Sequence, residues 1–352
     1  MPNKKAAQMR YDLFILFFWL SYGAIGQTTR LDELCQVFHL PDGKDTTTFI
    51  IFGNKNDLKV KKPLFLFRQG SQPAPFIHLV GDKYYIAAPF HFREYKNEYH
   101  FVMIQKPGVR LVVDTTFYNE YVKAISQENP PEKFVSKKYL ANNYLERYVE
   151  QCNDVINYLV KKPWIDKKKV VYCGGSEGFT IGAELSANHN KFITHTILFS
   201  GNTGRRFNII IQNIRDQIES GEKTFAVGQP QIEMMYGVWA DICKHPLATD
   251  KSFGDTYRAW YSFSKPMLSN LLKINTPLYI AYGTADKEMA PGLDKLPLDF
   301  IALGKTNLTL KPYFDHDHMF YQLKRDSTGK TIDKGYNGDA VAKDWMEWLK
   351  TH

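Results

Sequence analysis

Val170-Val171-Tyr172-Cys173-Gly174-Gly175-Ser176-Glu177-Gly178-Phe179-Thr180-Ile181-Gly182-Ala183 is the stretch on which the reading of this chain turns. Four apolar residues lead into Gly-x-Ser-x-Gly, and small and apolar residues follow. That order suits a strand that ends, a sharp turn at Ser176 and a helix that starts at once, with glycines at 174 and 178 allowing a backbone approach that a side chain would block. Such a turn lifts the Ser176 hydroxyl out of the sheet. The five-residue pattern is weak by itself, since an ordinary serine in a glycine-rich turn satisfies it, so the flanks decide. Lys167 to Lys169 close a polar turn, Val170 to Cys173 is a run of buried-strand type, and Phe179, Ile181, Ala183, Leu185 and Ala187 carry on into a helix.

Working outward, Thr46 to Phe52 and Pro63 to Phe67 read as strands, the second stopping at Arg68-Gln69-Gly70-Ser71-Gln72-Pro73. Tyr84 to Ala88 and Phe101 to Gln105 are further strands, the latter closed by Lys106-Pro107-Gly108, and residues 109 to 137 show no period. Leu140, Tyr144, Leu145, Tyr148, Val149, Val155, Ile156 and Leu159 recur at helical spacing, which predicts a helix over 138–160, ended by Pro163. Thr194 to Ser200, Thr276 to Gly283 and Leu308 to Tyr313 complete the strands, and residues 337 to 350 make an amphipathic helix. Strands alternating with helices imply an α/β fold with a mostly parallel central sheet flanked by helices.

Between the strands at 194–200 and 276–283, three helical stretches (209–218, 232–243 and 257–272) are too long for a plain crossover and read as an inserted helical cap spanning 203–272. With Trp239, Trp260 and several tyrosines, the cap is expected either to wall a pocket above Ser176 or to pack on itself.

The 352 residues, 44% of them apolar, suffice for one large domain. Lys4, Lys5 and Arg10, the apolar run Leu13 to Leu20, and Ala24-Ile25-Gly26 have the layout of a signal peptide over 1–26, leaving 27–352 as the domain of an exported protein, periplasmic or secreted. The rival reading of this segment is a membrane anchor, but the uncharged stretch from Leu13 to Thr29 is interrupted by Gly23, Gly26 and Gln27 and falls short of the ~20 apolar residues a span needs, so no stable membrane span is expected after signal cleavage. Net charge is +8. The lysines at 59, 61, 62, 161, 162 and 167 to 169 sit at turns before strands without interleaved aromatics, so they read as a solvated face and no nucleic-acid partner is expected. Cys35, Cys152, Cys173 and Cys243 are compatible with a disulfide in an exported protein without requiring one.

A serine hydroxyl is a poor nucleophile at neutral pH and needs an imidazole to take its proton and a carboxylate to fix the imidazole's tautomer. Leu278 to Asp286 is an apolar strand ending in Gly-Thr-Ala-Asp, and the last strand runs into Phe314-Asp315-His316-Asp317-His318-Met319-Phe320. Asp286 and His318 thus fall beyond strand ends on the edge where Ser176 lies. Asp286 as a turn aspartate, and Asp315 to His318 as a metal loop, are the rival readings, and His316 competes with His318.

Gly-Gly-Ser-Glu-Gly, Tyr-Gly-Thr-Ala-Asp and Asp-His-Met-Phe resemble the three catalytic stretches of prolyl-oligopeptidase-like and esterase-type serine hydrolases of the α/β-hydrolase superfamily, over about residues 46–350. The resemblance implies Ser176 as nucleophile, Asp286 as acid and His318 as base, with an oxyanion hole from the backbone N–H groups of Ser71 and Glu177. It implies no cofactor and no metal. The chain departs from the pattern at Gln69-Gly70, where His-Gly is common, and no propeller-like stretch precedes the domain, so a sieve for large peptides is not expected. A carboxylic-ester hydrolase acting on a small-molecule ester is the first expectation. A serine exopeptidase acting on a short peptide is the second, requiring a buried carboxylate to hold the peptide amine. A non-catalytic binding protein on the same fold is the third.

Overall fold

The computed structural model describes residues 28–43, 45–125, 127 and 130–352; the expected signal peptide lies outside them. Leu64, Phe65, Leu66 and Phe67 are each at most 3% exposed, so the strand they form is covered on both faces, as an unbroken apolar run requires. Leu64 and Leu66 enter one core with helices 145–159 and 177–188, whereas Phe65 and Phe67 enter the other, an aromatic nest closed by the C-terminal helix.

Eight strands form the central sheet: β1 (Cys35–Asp42), β2 (Asp45–Phe52), β3 (Lys62–Arg68), β4 (His100–Ile104), β5 (Ile165–Gly175), β6 (His195–Phe199), β7 (Leu278–Gly283) and β8 (Leu308–Tyr313). Their order is β1-β2-β4-β3-β5-β6-β7-β8. β2 is antiparallel to both of its neighbours, β1 and β4, and the remaining pairs are parallel. After β3 the chain leaves to one side for β4 and returns to the other for β5. The loops after β3 and β5 therefore diverge, and a crevice opens at their C-terminal ends, where ligands bind in open α/β sheets.

The helices used below are α1 (Thr115–Ala124), α2 (Lys137–Asn142), α3 (Leu145–Leu159), α4 (Glu177–Asn188), α5 (Asn208–Glu219), α6 (Phe225–Lys244), α7 (Tyr257–Phe263), α8 (Leu268–Lys273) and α9 (Gly338–Thr351). Several differ from expectation for physical reasons. The helix expected over 138–160 is two, α2 and α3. Asn143 turns its side-chain amide to Asp255, accepts from the Tyr148 hydroxyl at 3.0 Å, and the Ser262 hydroxyl accepts the Leu145 N–H at 3.1 Å, so tertiary contacts hold the break open. The helical stretch expected over 257–272 is likewise divided into α7 and α8. Tyr84 to Ala88 does not join the main sheet; 83–86 pairs with 77–80, and 77–80 with 112–114, in a three-stranded sheet beside it. Inside the aperiodic 109–137 lies α1, capped by Asp114, whose carboxylate accepts the Phe117 N–H at 2.7 Å. Lys62 is buried, donating to the Lys96 carbonyl at 2.8 Å, and does not belong to the solvated face.

Helices α5 to α7 share a separate core around Phe207, Ile214, Ile232, Met235 and Trp260, while Ala259, Phe263, Met267 and Leu271 of the same insertion enter the main core with α3 and α4. Trp260 donates to the Phe253 carbonyl at 2.7 Å and Trp239 lies 5.1 Å from the Phe207 ring, so both side chains are used inside the cap. Among the described residues, no helix is long and apolar enough to cross a membrane, and all four cysteines are free thiols.

Candidate functional site

Ser176 stands between β5 and α4 with φ 55° and ψ −113°, a left-handed backbone that is strained for any residue with a Cβ. The surroundings hold it there. Its N–H donates to the Phe199 carbonyl at 3.0 Å, and Tyr172 donates its hydroxyl to the Gly178 carbonyl at 2.8 Å. A Cβ on Gly174 would meet the Gly178 carbonyl oxygen at 2.4 Å, and one on Gly178 would meet the Arg68 carbonyl oxygen at 2.4 Å, so both glycines are demanded by close approach.

Asp286 and His318, 32 residues apart, are brought together by the parallel pairing of β7 and β8. His318 Nδ1 lies 2.7 Å from Asp286 Oδ2, and Asp286 Oδ1 accepts the Met289 N–H at 3.3 Å. The His318 loop is pinned from β6, where the Ser200 hydroxyl donates to the His318 carbonyl at 2.7 Å. With Nδ1 taken, Nε2 is the free ring atom, buried and without a hydrogen-bond partner among the described residues. Burial opposes charging of this imidazole, yet the charge and hydrogen bond of Asp286, followed by Glu288 and Asp317, carry its pKa above the ordinary value. His316 is placed differently. Nδ1 meets the Phe314 carbonyl at 2.7 Å and Nε2 the Asn337 side-chain amide at 2.8 Å, leaving neither nitrogen for a substrate. Among the described residues no group of His, Cys, Asp and Glu side chains is placed to hold a metal ion.

Two further groups were not legible as site residues. Lys106, just past β4, has a fully buried ammonium 2.7 Å from Glu177 Oε1, and it donates to the Ser71 carbonyl at 2.8 Å, to which Tyr139 also donates at 3.1 Å. One cation thus ties the first residue of α4 to the loop after β3. Burial lowers the Lys106 pKa, and Glu177 offsets part of that. Glu288 is held by the Asn213 amide of α5 at 2.9 Å, and burial raises its pKa.

Ser176 and His318 line one chamber, which Gly70, Ser71, Gln72, Met319 and Phe320 also line. Gly70 packs against the elbow, where a Cβ would sit 3.4 Å from Ser176 Cβ. Glu177, as the first residue of α4, has an amide without an intrahelical carbonyl, free to meet an anion. Ser71 lines the same chamber while its carbonyl is turned to Lys106. A second chamber lies past the same loop. Residues 203–272 line neither chamber, which corrects the expectation that Trp239 or Trp260 forms a wall above Ser176; the walls come from residues 67–76, 87–90 and 118–125 and from the C-terminal region.

No protein-family model and no curated protein matches this sequence. Among solved structures, a Bacteroides ovatus protein assigned as a dipeptidyl aminopeptidase IV superposes with a TM-score of 0.53 at 12% identity, covering 94% of this chain and 36% of that one. Pyrococcus horikoshii acylaminoacyl peptidase gives 0.49 at 13% identity, covering 81% and 37%, and a bacterial membrane phospholipase A gives 0.48 at 12% identity, covering 92% and 88%. The chain spans about a third of the length of the first of these. The likeness, with the strand order above, places the chain in the α/β-hydrolase fold.

Proposed function

We propose that this protein is an exported serine hydrolase that cleaves a carboxylic ester or amide through an acyl-enzyme on Ser176. The observation that carries the reading is one chamber containing a serine on a strained elbow and an imidazole whose far nitrogen is held by a buried carboxylate. In that arrangement His318 Nε2 takes the Ser176 proton as the hydroxyl adds to the carbonyl carbon. Asp286 keeps Nδ1 protonated and stabilises the imidazolium, and the same proton passes to the leaving group when the tetrahedral intermediate collapses. The Glu177 N–H and a second amide from the loop at 70–72, with Ser71 the donor suggested by the resemblance, hold the developing oxyanion. Water then repeats the sequence on the acyl-enzyme.

The peptide-bond reading has at least as much support as the ester preference. The fold neighbour with the higher TM-score is assigned as a peptidase. Glu288, half-buried and close enough to His318 to raise its pKa, is also a carboxylate of the kind needed to hold a peptide amine. The export part of the reading rests on the leader-like pattern of residues 1–26. Fluorophosphonate labelling, followed by turnover of acyl esters and of aminoacyl amides with free and blocked amino termini, tests both readings. A preference for free amino termini that Glu288→Gln abolishes supports the exopeptidase; equal turnover of free and blocked amides in the parent counts against it.

A further inference from the structure

The six parallel strands β4, β3, β5, β6, β7 and β8 begin on the sheet edge opposite Ser176 and His318, and each is preceded by a lysine: Lys96, Lys61, Lys161, Lys191, Lys273 and Lys305 in that order. Neighbouring strands lie about 4.8 Å apart, so the sheet sets these residues in a row roughly 24 Å long. The turns of this edge (53–61, 96–99, 160–169, 189–194, 273–277 and 303–307) and the end of α9 (347–352) hold thirteen lysines and four acids. That excess of nine exceeds the +8 of the whole chain, so the rest of the molecule is close to neutral. None of the thirteen has an ion-pair partner among the described residues, whereas Lys106, Lys133, Lys138, Lys265 and Lys324, elsewhere in the molecule, each have one. Like charges crowded within a Debye length repel, and an anionic surface laid against them relieves that repulsion. Aliphatic side chains stand exposed among these lysines: Val60, between Lys59 and Lys61, is 53% exposed, and Ile301 and Leu303, just before Lys305, are 72% and 61% exposed.

We propose that this edge docks the protein on the surface of an anionic phospholipid bilayer, the lysines against the headgroups and Val60, Ile301 and Leu303 in the interfacial layer. Surface binding of this kind combines charge attraction with a small buried apolar area, and both are present here on one edge. A nucleic acid fits it less well. All thirteen cations are lysines, without the planar fork of arginine. Helices α3, α4, α8 and α9 end at this edge, so it shows their last carbonyls and not the amides that hold single phosphates. The exposed aliphatic residues also have no counterpart in a phosphate backbone. Docked by this edge, the protein turns the crevice at the far ends of β3 and β5 away from the bilayer, towards water-soluble substrates. Docking does not depend on Ser176 being a nucleophile.

The test is co-sedimentation with vesicles of phosphatidylcholine alone and of phosphatidylcholine containing about a third phosphatidylglycerol. The neutral vesicles set the background from apolar contact. The parent is expected to bind the anionic vesicles about tenfold or more tightly than the neutral ones, with the preference fading as salt is raised. Combining Lys59→Gln, Lys61→Gln, Lys161→Gln, Lys167→Gln and Lys168→Gln should remove that preference. Combining Lys133→Gln, Lys137→Gln, Lys138→Gln, Lys330→Gln and Lys334→Gln, five exposed lysines away from this edge, should leave most of it. Equal binding of the parent to both vesicles overturns the proposal, as does an equal loss in the two variants, which would reduce the effect to net charge. Binding to duplex DNA or to polyglutamate without preference for anionic vesicles overturns it in favour of a different polyanion. Orientation is read from an environment-sensitive dye on Val60→Cys or Phe314→Cys in a Cys243→Ser background, since Cys243 is the exposed cysteine among the described residues. Phe314 follows β8 at the crevice end and is 77% exposed. Anionic vesicles should shift the emission of the dye at 60 to the blue and leave the dye at 314 unchanged; a shift at 314 as large as that at 60 overturns the docking geometry.

Discussion

In the proposed mechanism Ser176, His318 and Asp286 divide the chemistry between a strained turn and an imidazole–carboxylate pair, and each side makes a separate prediction. Ser176→Ala removes a small side chain from a site where packing depends on the flanking glycines, so turnover should vanish while the thermal midpoint moves little. His318→Ala should lower kcat by several orders of magnitude. His316→Ala removes two buried hydrogen bonds and should lower stability by about 1–3 kcal/mol with far less effect on kcat. The base must be neutral to accept a proton, and its pKa lies above the ordinary imidazole value. Activity should therefore fall as pH drops through a point above about 6.5. Asp286→Asn removes the leading influences that raise this pKa, so the acid limb of kcat/KM should move to lower pH as the rate drops. Glu288→Gln should move it the same way by less, and a limb that stays in place in both variants contradicts the assignment. Ser176, Asp286 and His318 could be picked out as candidates because each sits in a short contiguous pattern at a strand end. Lys106 was not, because its partner Glu177 lies 71 positions away and a lysine before Pro107-Gly108 looks like any turn lysine.

At the scale of elements, the β3 loop and the N-terminus of α4 are two walls of the same chamber, and the Lys106 ammonium joins them. Losing one partner of a buried ion pair strands the other, so Lys106→Met should destabilise the fold by about 3–5 kcal/mol. It should also let the Ser71 peptide turn, lowering kcat by about 10- to 100-fold with little change in KM, as loss of an interaction made in the transition state does. The double variant Lys106→Met with Glu177→Leu separates the two effects: the melting temperature should recover while kcat stays low. Recovery of both would reduce Lys106 to a structural role. Of the elements themselves, the core strands were legible because runs such as Leu64 to Phe67 are buried on both faces. The break at Asn143 was not, since Asp255 and Ser262, more than a hundred residues later, hold it. Helix α1 escaped notice because its ten residues present too short an apolar stripe to establish a period.

For the molecule as a whole, the sheet order puts the crevice between β3 and β5, and the cap core stands apart from both chambers. Trp260→Ala should cost about 3–5 kcal/mol, as deletion of a buried ring does. In Trp260→Ala and Trp239→Ala alike the preferred acyl length should stay as in the parent. Val122→Phe, which adds bulk to the wall of the second chamber, should shift the preference towards shorter acyl groups. Stability and chain-length profiles of these three variants check the division between cap and pocket. The presence of an aromatic-rich helical insertion was legible. The separate core within it, around Phe207 and Trp260, was not, because apolar side chains that face a ligand and those that face one another have the same periodicity.

Ser176 is the proposed nucleophile on which every later step of the mechanism depends. The measurement is labelling of the purified protein with a fluorophosphonate, followed by mass spectrometry of its peptides. One adduct per chain, located on Ser176, absent in Ser176→Ala and much reduced in His318→Ala, is the predicted result. An adduct on another residue, or labelling of Ser176→Ala at the parent rate, would contradict it.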